Sequence, residues 1–353
     1  MLNPFRIAFI GIDHPHGAGW RELLLNLAPD VEVTAVVPAF KGRTASLEER
    51  LAHVPRFDDA ESLLEHGQFD GAVVCLPNDL SPAVAAQLAR AGKHILVEKP
   101  CAASAAAAEE LEGAVRDGGV AFQNGYMWRY DDAVERLRAM VEDGRFGKLI
   151  SIEMTFVTSD VARRGPEHYL FDAEVSGGGF FNWLACHYLD LLFYVTGKSV
   201  VGVTARCGCF GATAVPVEDG GVALLELEDG SIATFIGGYW VPRWAGESHW
   251  TVRGSERWVH WDPTRAGTGG ALQIHGPQPQ WHAMEETYSL PLDKTPGYGG
   301  RRGVALLQEW IAAARCGRSC RNTVGTTIAT LRLIDTIYQA SREECRIACK
   351  IGP

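Results

Sequence analysis

No apolar run in this sequence exceeds the length of a strand, so no segment is long enough to cross a bilayer as a helix. Basic residues are not in excess. There are 33 Lys and Arg against 43 Asp and Glu, and the formal net charge is -10. That balance argues against a nucleic-acid partner, because no basic stripe stands ready to neutralise phosphates. A disulfide framework is also missing. The nine cysteines are odd in number and scattered, which points to a reducing compartment and a cytoplasmic protein. Cys316 and Cys320, and Cys345 and Cys349, are spaced more loosely than the knuckles of structural zinc sites, and no metal is expected. There is no internal repeat. The opening Phe5–Gly11 stretch is apolar but short, runs into a glycine turn and lacks a small-residue cleavage pattern, so it reads as a buried strand and not as a signal peptide.

What is present is the composition of a globular enzyme: 353 residues, 46% hydrophobic and 22% charged, enough for two domains. The first part alternates strands with helices. Strands are expected at residues 6–10, 31–37, 71–76, 94–97 and 120–123. Helices are expected over 20–27, 58–66, 82–91 and from Ser104, a capping residue, to about Arg116. That rhythm predicts an α/β, Rossmann-type, doubly wound parallel sheet over residues 1–125. Beyond Lys148 the pattern changes to strands at 150–157, 200–210, 221–227, 231–239 and 248–261, with helices at 183–195, 302–315 and 325–340. Residues 126–353 are therefore expected to form an α+β domain on a large, mostly antiparallel sheet, with the late helices able to pack back on the first domain.

Three motifs carry chemistry. The first is the turn Gly11-Ile12-Asp13-His14-Pro15-His16-Gly17. A dinucleotide fold sets pyrophosphate against the helix N-terminus here. Only Gly11 stands where a glycine is wanted; Asp13 holds the second position and is expected to cap the helix, while His14 and His16 can donate to phosphate. After the second strand, Val37-Pro38-Ala39-Phe40 lacks the acid that usually meets the adenosine ribose, and Lys41 and Arg43 follow, a slight lean towards a 2′-phosphate. The second motif pairs Leu76-Pro77-Asn78 with Glu98-Lys99-Pro100. A lysine at the carboxyl end of a buried parallel strand lies at the ligand crevice of such a fold and is a candidate proton-transfer group. The third is Gly177-Gly178-Gly179 leading into Trp183, His187 and Asp190, spaced to share one helical face. His187 is the natural base for a hydroxyl proton.

Together these residues resemble the glucose–fructose oxidoreductase/inositol dehydrogenase/MocA family over nearly the whole chain. Gly125-Tyr126-Met127-Trp128-Arg129-Tyr130 also matches that family's segment at the end of the nucleotide domain. The resemblance implies NAD or NADP as cofactor, Lys99 as active-site lysine and His187 as catalytic histidine. It implies that Pro77 and Asn78, with Leu76, Glu98, Met127 and Arg129, line the cofactor beside Gly11, Ile12 and Pro38. It implies a dimer or tetramer built on the second domain's sheet. Two departures stand out: Trp183 replaces the usual aspartate four residues before the histidine, and Ser81 stands where a histidine is common. Asp172 or Glu174 could supply a replacement carboxylate. Tyr169, with His168, Arg243 and His249, could meet a sugar whose apolar face lies on Trp183. The expected reaction is hydride transfer at a secondary alcohol carbon of a sugar, polyol or sugar derivative. The rivals are nicotinamide-dependent glycoside cleavage by transient oxidation and elimination, and a degenerate nucleotide-binding protein without catalysis.

Overall fold

The computed structural model describes residues 3–14, 16–40, 50–211, 213–263, 270–277, 284–290 and 292–353. Lys41 and Arg43, named above, lie outside them. The chain divides into two compact units: Met1–Met127 with Lys294–Ile328, and Trp128–Asp293 with Ala329–Pro353. Among the described residues, no helix is long and apolar enough to cross a membrane.

In the first unit, β1 (Phe5–Ile10), β2 (Val31–Val37), β3 (Gly71–Val74), β4 (His94–Val97) and β5 (Phe122–Asn124) form one parallel sheet. Its order is β2-β1-β3-β4-β5. Ile7 to Phe9 and Ala72 to Val74 are wholly buried, as expected of a sheet covered on both faces. The one charged residue of β1, Arg6, is matched by Asp70, whose carboxylate takes both its backbone N–H and its guanidinium. The intervening helices are α1 (Gly17–Asn26), α2 (Ala60–His66), α3 (Ser81–Arg90) and α4 (Ala105–Gly118). Local chemistry sets their ends. Asp59 and Ser62 form a capping box for α2, Ser104 caps α4, and Gly119 closes α4 in the left-handed region at φ 60°. The chain leaves β1 towards β2 on one side and returns to β3 on the other, which opens a crevice at the carboxyl ends of β1 and β3.

The second unit begins with α5 (Asp132–Glu142) and holds a nine-stranded sheet. Its strands are β6 (Leu149–Ser159), β7 (Val200–Gly208), β8 (Gly220–Leu227), β9 (Ile232–Val241), β10 (Gly246–Gly254), β11 (Trp258–Asp262), β12 (Ala271–His275), β13 (Met284–Ser289) and β14 (Ile347–Ile351). Only β6 and β9 pair in parallel; the other neighbours are antiparallel. One face packs on α6 (Cys186–Thr196) and the turn before it, with Tyr188 against Trp250 at 5.5 Å and Phe181 against Phe235 at 5.5 Å between ring centroids. Every residue of α6 except Tyr194 is buried, which explains its near-continuous apolar sequence.

Several sequence expectations are corrected here. The single strand expected over 248–261 is the hairpin β10–β11, with Arg253 opposite Trp258. Its turn carries no Gly-Asn or Pro signal at the centre. Besides the Gly254 N–H to Arg257 carbonyl bond that closes it, it is held from outside, by Ser255 and Glu256 bonding the backbone of Lys148 and Phe146. The loose stretch beginning at Pro263 contains β12, whose Leu272 and Ile274 are wholly buried. Helix α5 and strands β13 and β14 were not anticipated. Residues 294–328, within the stretch whose late helices are expected to be able to pack back on the first domain, belong to the first unit; they include the helix α7 (Arg301–Cys316), where Trp310 packs edge-on against Phe5 at 5.5 Å. The last helix, α8 (Val324–Glu343), is divided between the two units.

Candidate active site

At the end of β1, Gly11 adopts φ 73° and donates to the Val37 carbonyl; a Cβ there would sit 2.0 Å from the Cys75 carbonyl oxygen. Gly17 is equally obligatory, because its Cβ would lie 2.2 Å from the Ile12 carbonyl oxygen. The glycines therefore serve close packing of the turn itself. Asp13 does not cap α1, contrary to expectation. Its two carboxylate oxygens accept the Ala39 and Phe40 N–H groups, each at 2.7 Å, tying the β1 turn to the segment after β2. Pro38, in that segment, is exposed. The residue at the head of α1 is His16, whose side chain makes no capping bond, and no acidic residue stands in the first turn. His14 is buried and its Nδ1 accepts the His16 N–H at 3.0 Å.

Glu98 and Lys99 follow β4 directly and are almost fully buried, at 3% and 1% exposure. Two side chains from the β1–α1 region hold Glu98. Trp20 Nε1 donates to it at 2.7 Å, and His16 Nδ1 lies 3.1 Å from it. Burial opposes ionisation of this carboxyl, but the His16 hydrogen bond and the charges of His16, Lys99 and His14 outweigh burial and hold its pKa below the usual glutamate value. His16 in turn stacks on Tyr298 with ring centroids 4.6 Å apart. The sequence reading missed Tyr298, which comes from the returning segment of the first unit. Gly125 lies under this element: a Cβ there would meet the Lys99 N at 3.0 Å and Glu98 Oε2 at 3.2 Å. The neighbouring chain is fixed by Asn322, whose amide donates to the carbonyls of Asn124 and Tyr126.

On the other side of the crevice, Leu76 and Asn78 are buried and lead into α3. Ser81, in the family's histidine position, donates to the Leu76 carbonyl at 3.0 Å and so closes the turn it follows. Met127, which ends the first segment of the first unit, is buried.

In the second unit the triple glycine opens a five-residue π turn, Phe181–Ala185, before α6. A π turn breaks the i, i+4 phase of an α-helix, so the single face expected for Trp183, His187 and Asp190 is not a regular α-helical one. Trp183 and His187 are buried, at 4% and 5% exposure. Trp183 meets Tyr169 edge-on at 6.4 Å, and the ring of His187 lies 6.1 Å from Trp128. Asp190 is claimed by Arg129 in a bidentate pair at 2.6 and 2.9 Å, with both side chains at most 3% exposed. Burial pushes the Asp190 carboxyl pKa up, and Arg129 pulls against it. Arg129, expected beside the cofactor, thus has its guanidinium committed to Asp190. Asp172 is exposed and caps the short helix Ala173–Ser176; Glu174 is exposed as well. The carboxylate nearest the glycines is one the sequence reading missed, Glu218, which accepts N–H groups from Gly179 and Phe181.

Residues 5–126 match the model of the oxidoreductase family with an NAD-binding Rossmann fold, and residues 134–260 match that of the GFO/IDH/MocA C-terminal domain. The chain belongs to the Gfo/Idh/MocA oxidoreductase family. Among its Gfo/Idh/MocA relatives, inositol 2-dehydrogenase of Rhizobium meliloti is 28% identical over 50% of this chain and 51% of that protein. Levoglucosan dehydrogenase of Pseudarthrobacter phenanthrenivorans is 26% identical over 40% of this chain and 36% of that protein. The chain spans only about a third to a half of the length of such curated relatives. Whole-chain likeness comes from structure: levoglucosan dehydrogenase in complex with NADH and L-sorbose superposes with a TM-score of 0.84 at 18% identity, covering 98% of this chain and 99% of that one. At that identity the likeness establishes the shared fold.

Proposed function

We propose that this protein is a nicotinamide-dependent oxidoreductase that moves hydride to or from a secondary alcohol carbon of a sugar or polyol. The observation that carries this reading is Lys99, 1% exposed at the carboxyl end of a parallel strand and beside the ionised Glu98. Burying an ammonium is costly without a partner charge, and a structural lysine would more cheaply reach water. The donor set also suits a dinucleotide, because α1 has no side-chain cap and no acidic residue in its first turn, which leaves its N-terminal N–H groups suited to a diphosphate. When bound, the nicotinamide would supply the hydride acceptor or donor. The chain would supply alignment and proton handling, with Lys99 and His187 exchanging the proton of the reacting hydroxyl. Trp183, in place of a carboxylate, would offer an apolar ring to the C–H face of the substrate. The dehydrogenases among the relatives act, by their names, on levoglucosan, inositol and D-glucosides, and they support a substrate of this class.

Asp13 bears on the choice of cofactor. Its carboxylate stands at the segment after β2, where the adenosine ribose lies in such folds. A 2′-phosphate there would face a like charge a few ångström away, a penalty of about tenfold or more in affinity. NAD is therefore expected to bind more tightly than NADP, and Asp13→Asn is expected to narrow the gap. Titration of tryptophan fluorescence with each nucleotide measures this. Tighter NADP binding would return the role to Lys41 and Arg43. Chromatography of nucleotide released by heat denaturation tests the wider reading. Recovered NAD or NADH supports it, whereas an empty protein that then binds neither nucleotide on titration overturns it.

The sheet of the second unit offers a surface for self-association. Val222, Leu224, Ile232 and Ile236 are 38–45% exposed and neighbour one another across β8 and β9. We assign this face to a homo-oligomer contact, since exposed apolar clusters of this kind mark interaction sites. Sedimentation equilibrium should show a dimer or larger species for the unaltered chain and a smaller species for Ile236→Glu. A monomeric unaltered chain refutes the assignment.

A further inference from the structure

The helical segment that carries Trp183 and His187 lacks a cap of its own. The residue before its π turn, Phe180, makes no side-chain capping bond, and the first N–H groups of any helix need acceptors from elsewhere. Here one residue from a distant part of the chain provides them. Glu218, just ahead of β8, accepts the Gly179 N–H through Oε2 at 2.7 Å and the Phe181 N–H through Oε1 at 2.9 Å. The Glu218 backbone carbonyl accepts the Phe180 N–H at 3.3 Å. Three consecutive N–H groups therefore end on a single residue. Tyr338 of α8 donates its hydroxyl to Glu218 Oε1 at 2.8 Å and fixes the carboxylate from behind.

The triple glycine is shaped to this clamp. A Cβ at Gly179 would lie 1.9 Å from the Glu218 carbonyl oxygen, and one at Gly178 would lie 2.2 Å from the Tyr338 hydroxyl oxygen. The close approach these glycines permit is made by the chain itself. Farther along the same segment, the Arg129–Asp190 pair makes a second anchor. His187 lies between the two anchors in sequence, one turn before Asp190.

We propose that Glu218, held by Tyr338, is a positioning residue that sets the placement of Trp183 and His187 by gathering the backbone N–H groups at the head of their helical segment. The proposal rests on the reading of His187 as a catalytic group, and its test is chosen to stand without it. A carboxylate at a helix start also faces the positive end of the helix dipole; burial raises the Glu218 pKa, and the Phe181 N–H, the Tyr338 hydroxyl and the Gly179 N–H pull against it.

Hydrogen exchange read by mass spectrometry on the full chain decides the matter, with Glu218→Ala, Glu218→Gln and Tyr338→Phe as variants. In Glu218→Ala, exchange over residues 179–187 should rise by about tenfold or more, the scale of losing a hydrogen bond to a charged acceptor. Exchange over 190–196, behind the second anchor, should stay unchanged. Glu218→Gln keeps one acceptor and should recover part of the protection, and Tyr338→Phe should show the smallest rise. If the oxidoreductase reading holds, kcat should fall and substrate KM should rise in the same order, while nucleotide affinity stays within about twofold. A uniform rise across the whole second unit would make Glu218 an ordinary stabilising residue and overturn the proposal. So would unchanged exchange over 179–187. Loss of the exchange pattern refutes the clamp, and a chain without turnover that keeps the pattern refutes only the catalytic reading.

Discussion

Replacing Lys99 by methionine should lower turnover by roughly 10²–10⁴-fold, the range general acid–base groups supply, while nucleotide binding persists. Methionine fills the same volume without the ammonium, so the cavity at this 1% exposed position stays packed. Glu98 keeps Trp20 and His16 as partners, and its carboxyl stays bound in place. The variant therefore separates chemistry from folding. Lys99→Arg should recover little, since a guanidinium keeps the charge but cannot give up its proton. The measurement is single-turnover reduction of nucleotide with a panel of sugars and polyols, beside a fluorescence titration of nucleotide. Undiminished turnover in Lys99→Met would remove the lysine from the mechanism and leave His187 to act alone.

The second large effect concerns stability. Asp190→Ala leaves the Arg129 guanidinium buried without its bidentate partner, at a cost of about 3–5 kcal/mol. For a chain of this size that corresponds to a fall in Tm of roughly 4–7 °C. Replacing both partners, Arg129→Met with Asp190→Leu, removes both charges together and should restore most of the loss. Calorimetry of the two variants checks the difference. If the double variant is as unstable as the single one, the pair is holding more than its own charges. The double variant also tests the expectation that Arg129 touches the cofactor: with the guanidinium spent on Asp190, NAD affinity should hold.

Much of the fold was legible because the signals that specify it are short-range. Ser104 announces a helix start through a bond to a residue three positions away, and the apolar runs of β1, β3 and β4 announce strands covered on both faces. The limits of that reading fall where a partner is remote in sequence. The β10–β11 turn is held by Lys148 and Phe146, more than a hundred residues earlier, so nothing within the turn marks it. The C-terminal strand β14 exists because β7 is there to pair with it.

The site divides along the same line. Its chemical identities were fixed by sequence: a Glu-Lys-Pro element at a strand end, a triple glycine before a helix, and a histidine within it. Residue type and spacing along one chain are enough to name such groups. What each group does in the folded chain was decided by partners that spacing does not reveal. Asp13 turns away from α1 because two backbone N–H groups after β2 donate to its carboxylate. Arg129 is bound to Asp190, 61 residues on, and the glycines are occupied by Glu218 and Tyr338. Buried charges and orphan N–H groups must find partners wherever the fold offers them, and only the tertiary structure brings those partners within bonding distance.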